Sequence, residues 1–143
     1  MRSAALLALL LATSSSAQNP SYPPTGKLID IGGRRVHLNC TGTGQPTVVI
    51  LGAGFSFDWI LVQNPVAKFT QVCTYDPSGS AWSHPGPPPT CDGRIDEIHA
   101  LLGKAGIDGN LVLVGHSIGA VFARWYELRH PDQVKGMVLV DHA

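Results

Sequence analysis

Apolar and polar positions along this chain fall into short runs that switch between two periods. Leu28-Ile29-Asp30-Ile31 and Arg35-Val36-His37-Leu38-Asn39 flank Gly32-Gly33, so a β-hairpin is the simplest expectation there. Within it, His37 sits between Val36 and Leu38, which places its side chain on the solvent side of the second strand. Residues 47–51, 71–75, 111–114 and 135–141 are apolar runs, as strands covered on both faces should be. Helical spacing fills the gaps. Residues 59–69 predict a helix interrupted or started late by Pro65. Ile95, Ile98, Leu101, Leu102 and Ala105 mark one face of a second helix, from Asp92 as N-cap to a stop near Gly106. Asp96, Glu97, His99 and Lys104 fall mainly on its other side, a solvated face. In the third helix Ile118, Val121, Phe122 and Trp125 form the stripe expected to be buried, and His130-Pro131-Asp132 ends it. Strands alternating with helices after an antiparallel hairpin predict an α/β fold with a mostly parallel sheet.

Composition alters this picture only at the N-terminus. With 143 residues, 44% of them hydrophobic, and ten basic residues balanced by ten acidic ones, the chain reads as a globular domain with one core. No charge excess points to nucleic acid. Arg2, the apolar run of residues 4–12 and Ser14-Ser15-Ser16-Ala17 have the form of a secretory signal peptide cut after Ala17, so residues 1–17 predict a secreted or periplasmic protein. That run is too short for a bilayer span, which takes about 20 apolar residues. Residues 18–26, rich in proline and polar side chains, are expected to be disordered, leaving residues 27–143 as the domain. Three cysteines in an exported chain allow one disulfide. Cys40 with Cys73 suits neighbouring strands, Cys40 with Cys91 would tie down the proline-rich loop, and three reduced thiols is the remaining alternative. Neither paired cysteines nor histidines stand at metal-ligand spacing, so no metal site is expected.

The chemistry concentrates at Gly115-His116-Ser117-Ile118-Gly119, between the 111–114 strand and the third helix. A strand that turns sharply into a helix puts the serine at its apex in a strained conformation, and small residues must flank it. Gly115 and Gly119 meet that demand and leave the Ser117 hydroxyl standing above the sheet edge, as in a nucleophile elbow. The 47–51 strand runs into Gly52-Ala53-Gly54, where a backbone amide can approach a ligand closely; a plain strand-to-helix turn is the alternative. His84, beside the proline-rich loop, reads as an exposed loop residue, and Asn39-Cys40-Thr41 fits a glycosylation sequon.

Taken together, these segments resemble the secreted branch of the α/β-hydrolase superfamily. Four stretches carry the likeness in order: Val48-Val49-Ile50-Leu51-Gly52-Ala53-Gly54 with Asp58-Trp59; Val72-Cys73-Thr74-Tyr75-Asp76 with Gly79 and Trp82-Ser83; Val112-Leu113-Val114-Gly115-His116-Ser117-Ile118-Gly119; and Gly136-Met137-Val138-Leu139-Val140-Asp141. The resemblance implies that Ser117 is a nucleophile attacking an ester-type small molecule without any cofactor. It implies an oxyanion hole made by the amide of Ile118 and one from Ala53 or Gly54. In the turn after Asp76, Pro77 and Ala81 stand where the family pattern has an arginine and a glycine. The family's acid and histidine come after later strands, which makes this chain read as the N-terminal half of such a domain. Within it, Asp141 and His142 occupy the one downstream position near the elbow, but neighbours at a strand end point in opposite directions. His130 lies thirteen residues beyond Ser117, about 20 Å along a helix, and is excluded as the base. A non-catalytic or degenerate hydrolase-like binding protein is the alternative function.

Overall fold

A computed structural model describes residues 22–52 and 54–141. The expected signal peptide therefore lies outside the described residues, as do Ala53 and His142. Among the described residues one sheet of six strands forms, ordered β1-β2-β4-β3-β5-β6. The hairpin supplies β1 (Lys27–Asp30) and β2 (Arg35–Thr41), which pair antiparallel around Gly32 and Gly33, both at positive φ. Asp30 Oδ1 accepts the amides of both glycines, at 2.8 and 3.1 Å, and these bonds hold its carboxyl below the usual carboxylate range.

The remaining strands are β3 (Thr47–Leu51), β4 (Val72–Asp76), β5 (Leu111–His116) and β6 (Val134–Val140). They run parallel to one another, while β2 pairs antiparallel with β4. Each crossover carries a helix: α1 (Ile60–Val66) after a 3-10 turn at Ser56–Trp59, α2 (Cys91–Lys104), and α3 (Ile118–Arg129). Opposite Cys40 on β2 stands Cys73 on β4, and the two form a disulfide with Cα atoms 4.1 Å apart. Cys91 is free and exposed. Of the pairings open to the sequence, the one between neighbouring strands is adopted. No helix among the described residues is long and apolar enough to cross a membrane.

The core lies between the sheet and α2, where Ile95, Ile98, Leu101 and Leu102 are all buried as their spacing predicts. The N-cap of α2 is Thr90 rather than Asp92. Its Oγ1 accepts the Gly93 amide at 3.0 Å, a bond that the residue two positions later in the chain cannot make for the first turn. Glu97 and His99 do not lie on a solvated face. Glu97 is only 4% exposed; it accepts the Ser78 amide and pairs with both Arg94 and Arg34, closing the loop after β4 onto α2. His99 stacks flat on His130 at 4.0 Å, between α2 and the end of α3.

On α3 only Phe122 of the expected stripe packs against the core; the other three members turn outward. Gly119, Ala120, Ala123 and Tyr126 face the sheet, while Ile118, Val121 and Trp125 are 49%, 46% and 41% exposed. Small residues win the inner face because the helix starts directly on the sheet edge and must approach it closely. A Cβ on Gly119 would strike the Leu51 carbonyl.

Candidate active site

Strand β5 ends at His116, and the chain turns into α3 with Ser117 at φ 53°, ψ −125°. That is a strained conformation for a residue with a Cβ, costing about 1–3 kcal/mol, and it persists only where neighbours enforce it. Three contacts do so. Any Cβ on Gly115 would come within 2.6 Å of the Ala120 Cα, Gly119 has no room for one, and the Ser117 amide donates to the Val140 carbonyl at 3.2 Å. The result is an exposed hydroxyl at the carboxyl edge of the parallel strands. Ile118 and its amide open α3, where the first four amides of a helix lack intrahelical acceptors and favour negative charge. Gly115 and Gly119 are buried.

The glycine loop meets this elbow from the side. A Cβ on Gly52 would collide with the Trp59 ring, and that ring sits edge-on against His116 with centroids 5.5 Å apart. His116 thus packs against Trp59 at the end of β5. Gly54 has φ 106°, a conformation reserved for glycine, and Asp58 Oδ2 accepts the following Phe55 amide at 2.8 Å. Ala53, the other candidate donor, falls outside the described residues.

A second polar cluster, unforeseen in the hydropathy pattern, lies behind this loop. His37 is fully buried and does not face solvent as alternation implied. Its Nε2 accepts the Gly26 amide at 2.9 Å, so Nδ1 carries the proton and donates to Asp76 Oδ2 at 2.8 Å. Ser56, also fully buried, gives its amide to Asp76 Oδ1 at 2.7 Å and its hydroxyl to Oδ2 at 3.1 Å. Serine, histidine and aspartate meet here without forming a catalytic triad. Both ring nitrogens are committed, and the hydroxyl donates to the carboxylate rather than to a base. The only sequence signal was Asp76 itself, at the end of a buried strand.

Asp141 follows β6 at φ 47°, one residue beyond the partner of His116, and is exposed. His142 is not among the described residues. No described histidine or carboxylate hydrogen-bonds the Ser117 hydroxyl. His130 terminates α3, stacked on His99, at the opposite end of the helix from Ser117. His84 is half-buried in its loop, and its Nε2 lies 3.4 Å from Arg35.

A mostly parallel sheet with an antiparallel hairpin at one edge carries a strained serine at a strand-to-helix turn with a glycine loop beside it, the architecture of an alpha/beta hydrolase fold. The profile of the alpha/beta hydrolase fold family matches residues 39–142, and the chain belongs to that family. Among its relatives, the (lyso)-N-acylphosphatidylethanolamine lipase of Homo sapiens is 32% identical over 102 residues, 67% of this chain and 30% of the lipase. The 2-hydroxymuconate semialdehyde hydrolase of Pseudomonas sp. strain CF600 is 30% identical over 128 residues, 85% of this chain and 44% of that protein. In three dimensions the meta-cleavage product hydrolase of Pseudomonas fluorescens IP01 superimposes with a TM-score of 0.75 at 25% identity, over 83% of this chain and 46% of the other. The chain spans 14% to 44% of the length of the curated relatives above and beside these.

Proposed function

We propose that this chain carries the nucleophile half of a serine hydrolase acting on ester-type small molecules. Ser117 Oγ attacks the ester carbonyl carbon while its proton passes to a base. The amide of Ile118 and one from residues 53–54 hold the negative oxygen that forms. Collapse of that intermediate expels the alcohol, which takes the proton back, and water then releases the acid from the acyl-serine. One observation carries this reading above the others: a non-glycine residue strained at φ 53° between two glycines that packing leaves no room to replace. The acid and histidine that activate Ser117 are assigned to residues outside the described ones, since nothing described hydrogen-bonds its hydroxyl. Export through the 1–17 leader is part of the same proposal. A Cys40–Cys73 disulfide supports it, because such bonds persist in oxidising compartments.

The test is covalent labelling of the 18–143 chain with a fluorophosphonate. Modification is expected at Ser117, found by peptide mass analysis, and should fall to background in Ser117→Ala. An unmodified, folded wild-type chain would end the case for catalysis by residues 18–143 alone; no modification even when the polypeptide that supplies the acid and histidine is included would favour the non-catalytic binding protein.

A further inference from the structure

The glycine loop is tied at both ends by packing, Gly52 under the Trp59 ring and Trp59 against His116. Between those ends its hydrogen bond to Asp58 is local, three residues along the chain. Among the described residues of the loop, Ser56 reaches down into the sheet, through two bonds to one carboxylate. That carboxylate is fully buried and cannot be hydrated, so every donor it lacks costs desolvation energy. Its third donor, His37, is itself fixed by the Gly26 amide, and this leaves the remaining acceptor positions of Asp76 aimed at Ser56.

We infer that Asp76, acting through Ser56, is the positioning residue of the candidate oxyanion loop: it fixes the backbone from Gly54 to Ser56 beside the elbow that carries Ser117. This inference rests on the hydrolase reading of Ser117 for its catalytic consequence, though not for the positioning itself. His37 is the partner that orients the carboxylate. None of the three touches the reacting atoms.

Two measurements on the 18–143 chain decide the matter. The first is the kinetics of phosphonylation at Ser117 in Ser56→Ala, Ser56→Thr and Asp76→Asn. Ser56→Ala should slow the limiting rate about 10-fold with little change in the half-saturating probe concentration. That is less than the 10²–10³ typical of losing an oxyanion donor outright, because the Ser56 amide remains bound. Ser56→Thr should restore the rate. A purely structural role would lower the melting temperature and leave the limiting rate of the folded molecules unchanged, which would overturn the inference.

The second is amide hydrogen exchange. Asp76→Asn should speed exchange at Phe55 and Ser56 at least 10-fold, while Leu113 and Val114 on β5 keep their protection. Even acceleration across the loop and β5 would overturn the inference whatever the labelling result. If the wild-type 18–143 chain is never phosphonylated, catalysis by that chain alone fails separately, and the exchange pattern alone decides whether Asp76 positions the loop.

Discussion

On the β1-β2-β4 side of the sheet, Gln63 from α1 bonds to the Asn39 and Val72 carbonyls and receives Asn39 and Thr74 in return. A disulfide crosses β2 and β4, and Glu97 gathers two arginines and a backbone amide. On the β5-β6 side, α3 turns Ile118, Val121, Trp125 and Leu128 outward, and Met137, Val138 and Val140 are exposed on a strand with nothing paired to its far edge among the described residues. One side is tied together by buried polar bonds, although α1 also exposes Ile60, Leu61 and Val62; the other offers apolar surface together with an open ladder. The loop that would hold the oxyanion belongs to the closed side, and the serine belongs to the open one. Preorganisation is thus built into the loop's own neighbourhood, while among the described residues the serine's hydroxyl has no hydrogen-bond partner of that kind.

Variants at the seam between the two sides should have the largest effect. Gly119→Ala drives a methyl into the Leu51 carbonyl and is expected to cost about 3 kcal/mol or more, or to prevent folding, as read by urea denaturation. On the closed side, Cys40→Ser with Cys73→Ser should cost about 3–4 kcal/mol, the loop-closure value for a separation of 33 residues. The open side should respond in the opposite way. Leu128→Lys and Val138→Lys, at positions 70% and 51% exposed, are expected to leave the denaturation midpoint within about 0.5 kcal/mol of wild type and to reduce self-association in sedimentation velocity. A loss as large as that at Gly119 would show that the open side is closed after all.

Two smaller effects sharpen the same contrast. Ala81 holds φ 42° in the loop after β4 and is exposed, so Ala81→Gly should stabilise by about 1 kcal/mol. Burial, then the neighbouring His99 and Arg129, lower the pKa of His130 from 6.5, against the opposing pull of Asp96. The fold therefore favours neutral His130. This contribution is complete above about pH 6.5 and shrinks as the pH falls towards the lower folded value. His130→Asn should flatten the decline in melting temperature between about pH 7 and pH 5; an unchanged slope would place that decline elsewhere.

The strands, the antiparallel hairpin and the glycine-flanked turn into α3 were legible because each rests on local pattern: alternation, apolar runs and glycines at a turn. The inner face of α3 was not, because helical period identifies a stripe without saying which stripe lies against the sheet. Steric closeness at Gly119 decided it in favour of Ala120, Ala123 and Tyr126. His37 was misread for a related reason. Alternation assigns polar residues to water, whereas a buried carboxylate 39 residues away at Asp76 gave this one a partner inside. Buried polar pairs are written in two distant places at once, and a window that slides along the chain sees only one of them.

The bond from the Ser117 amide to the Val140 carbonyl also sets an order in time. Val140 is the last residue of the last described strand, so a growing chain acquires the elbow's partner only after every other described element has been synthesised. The serine's final geometry is thereby deferred until the sheet around it exists. A chain ended after Gln133 should retain β3 and β4 pairing while exchanging its Ser117 amide freely.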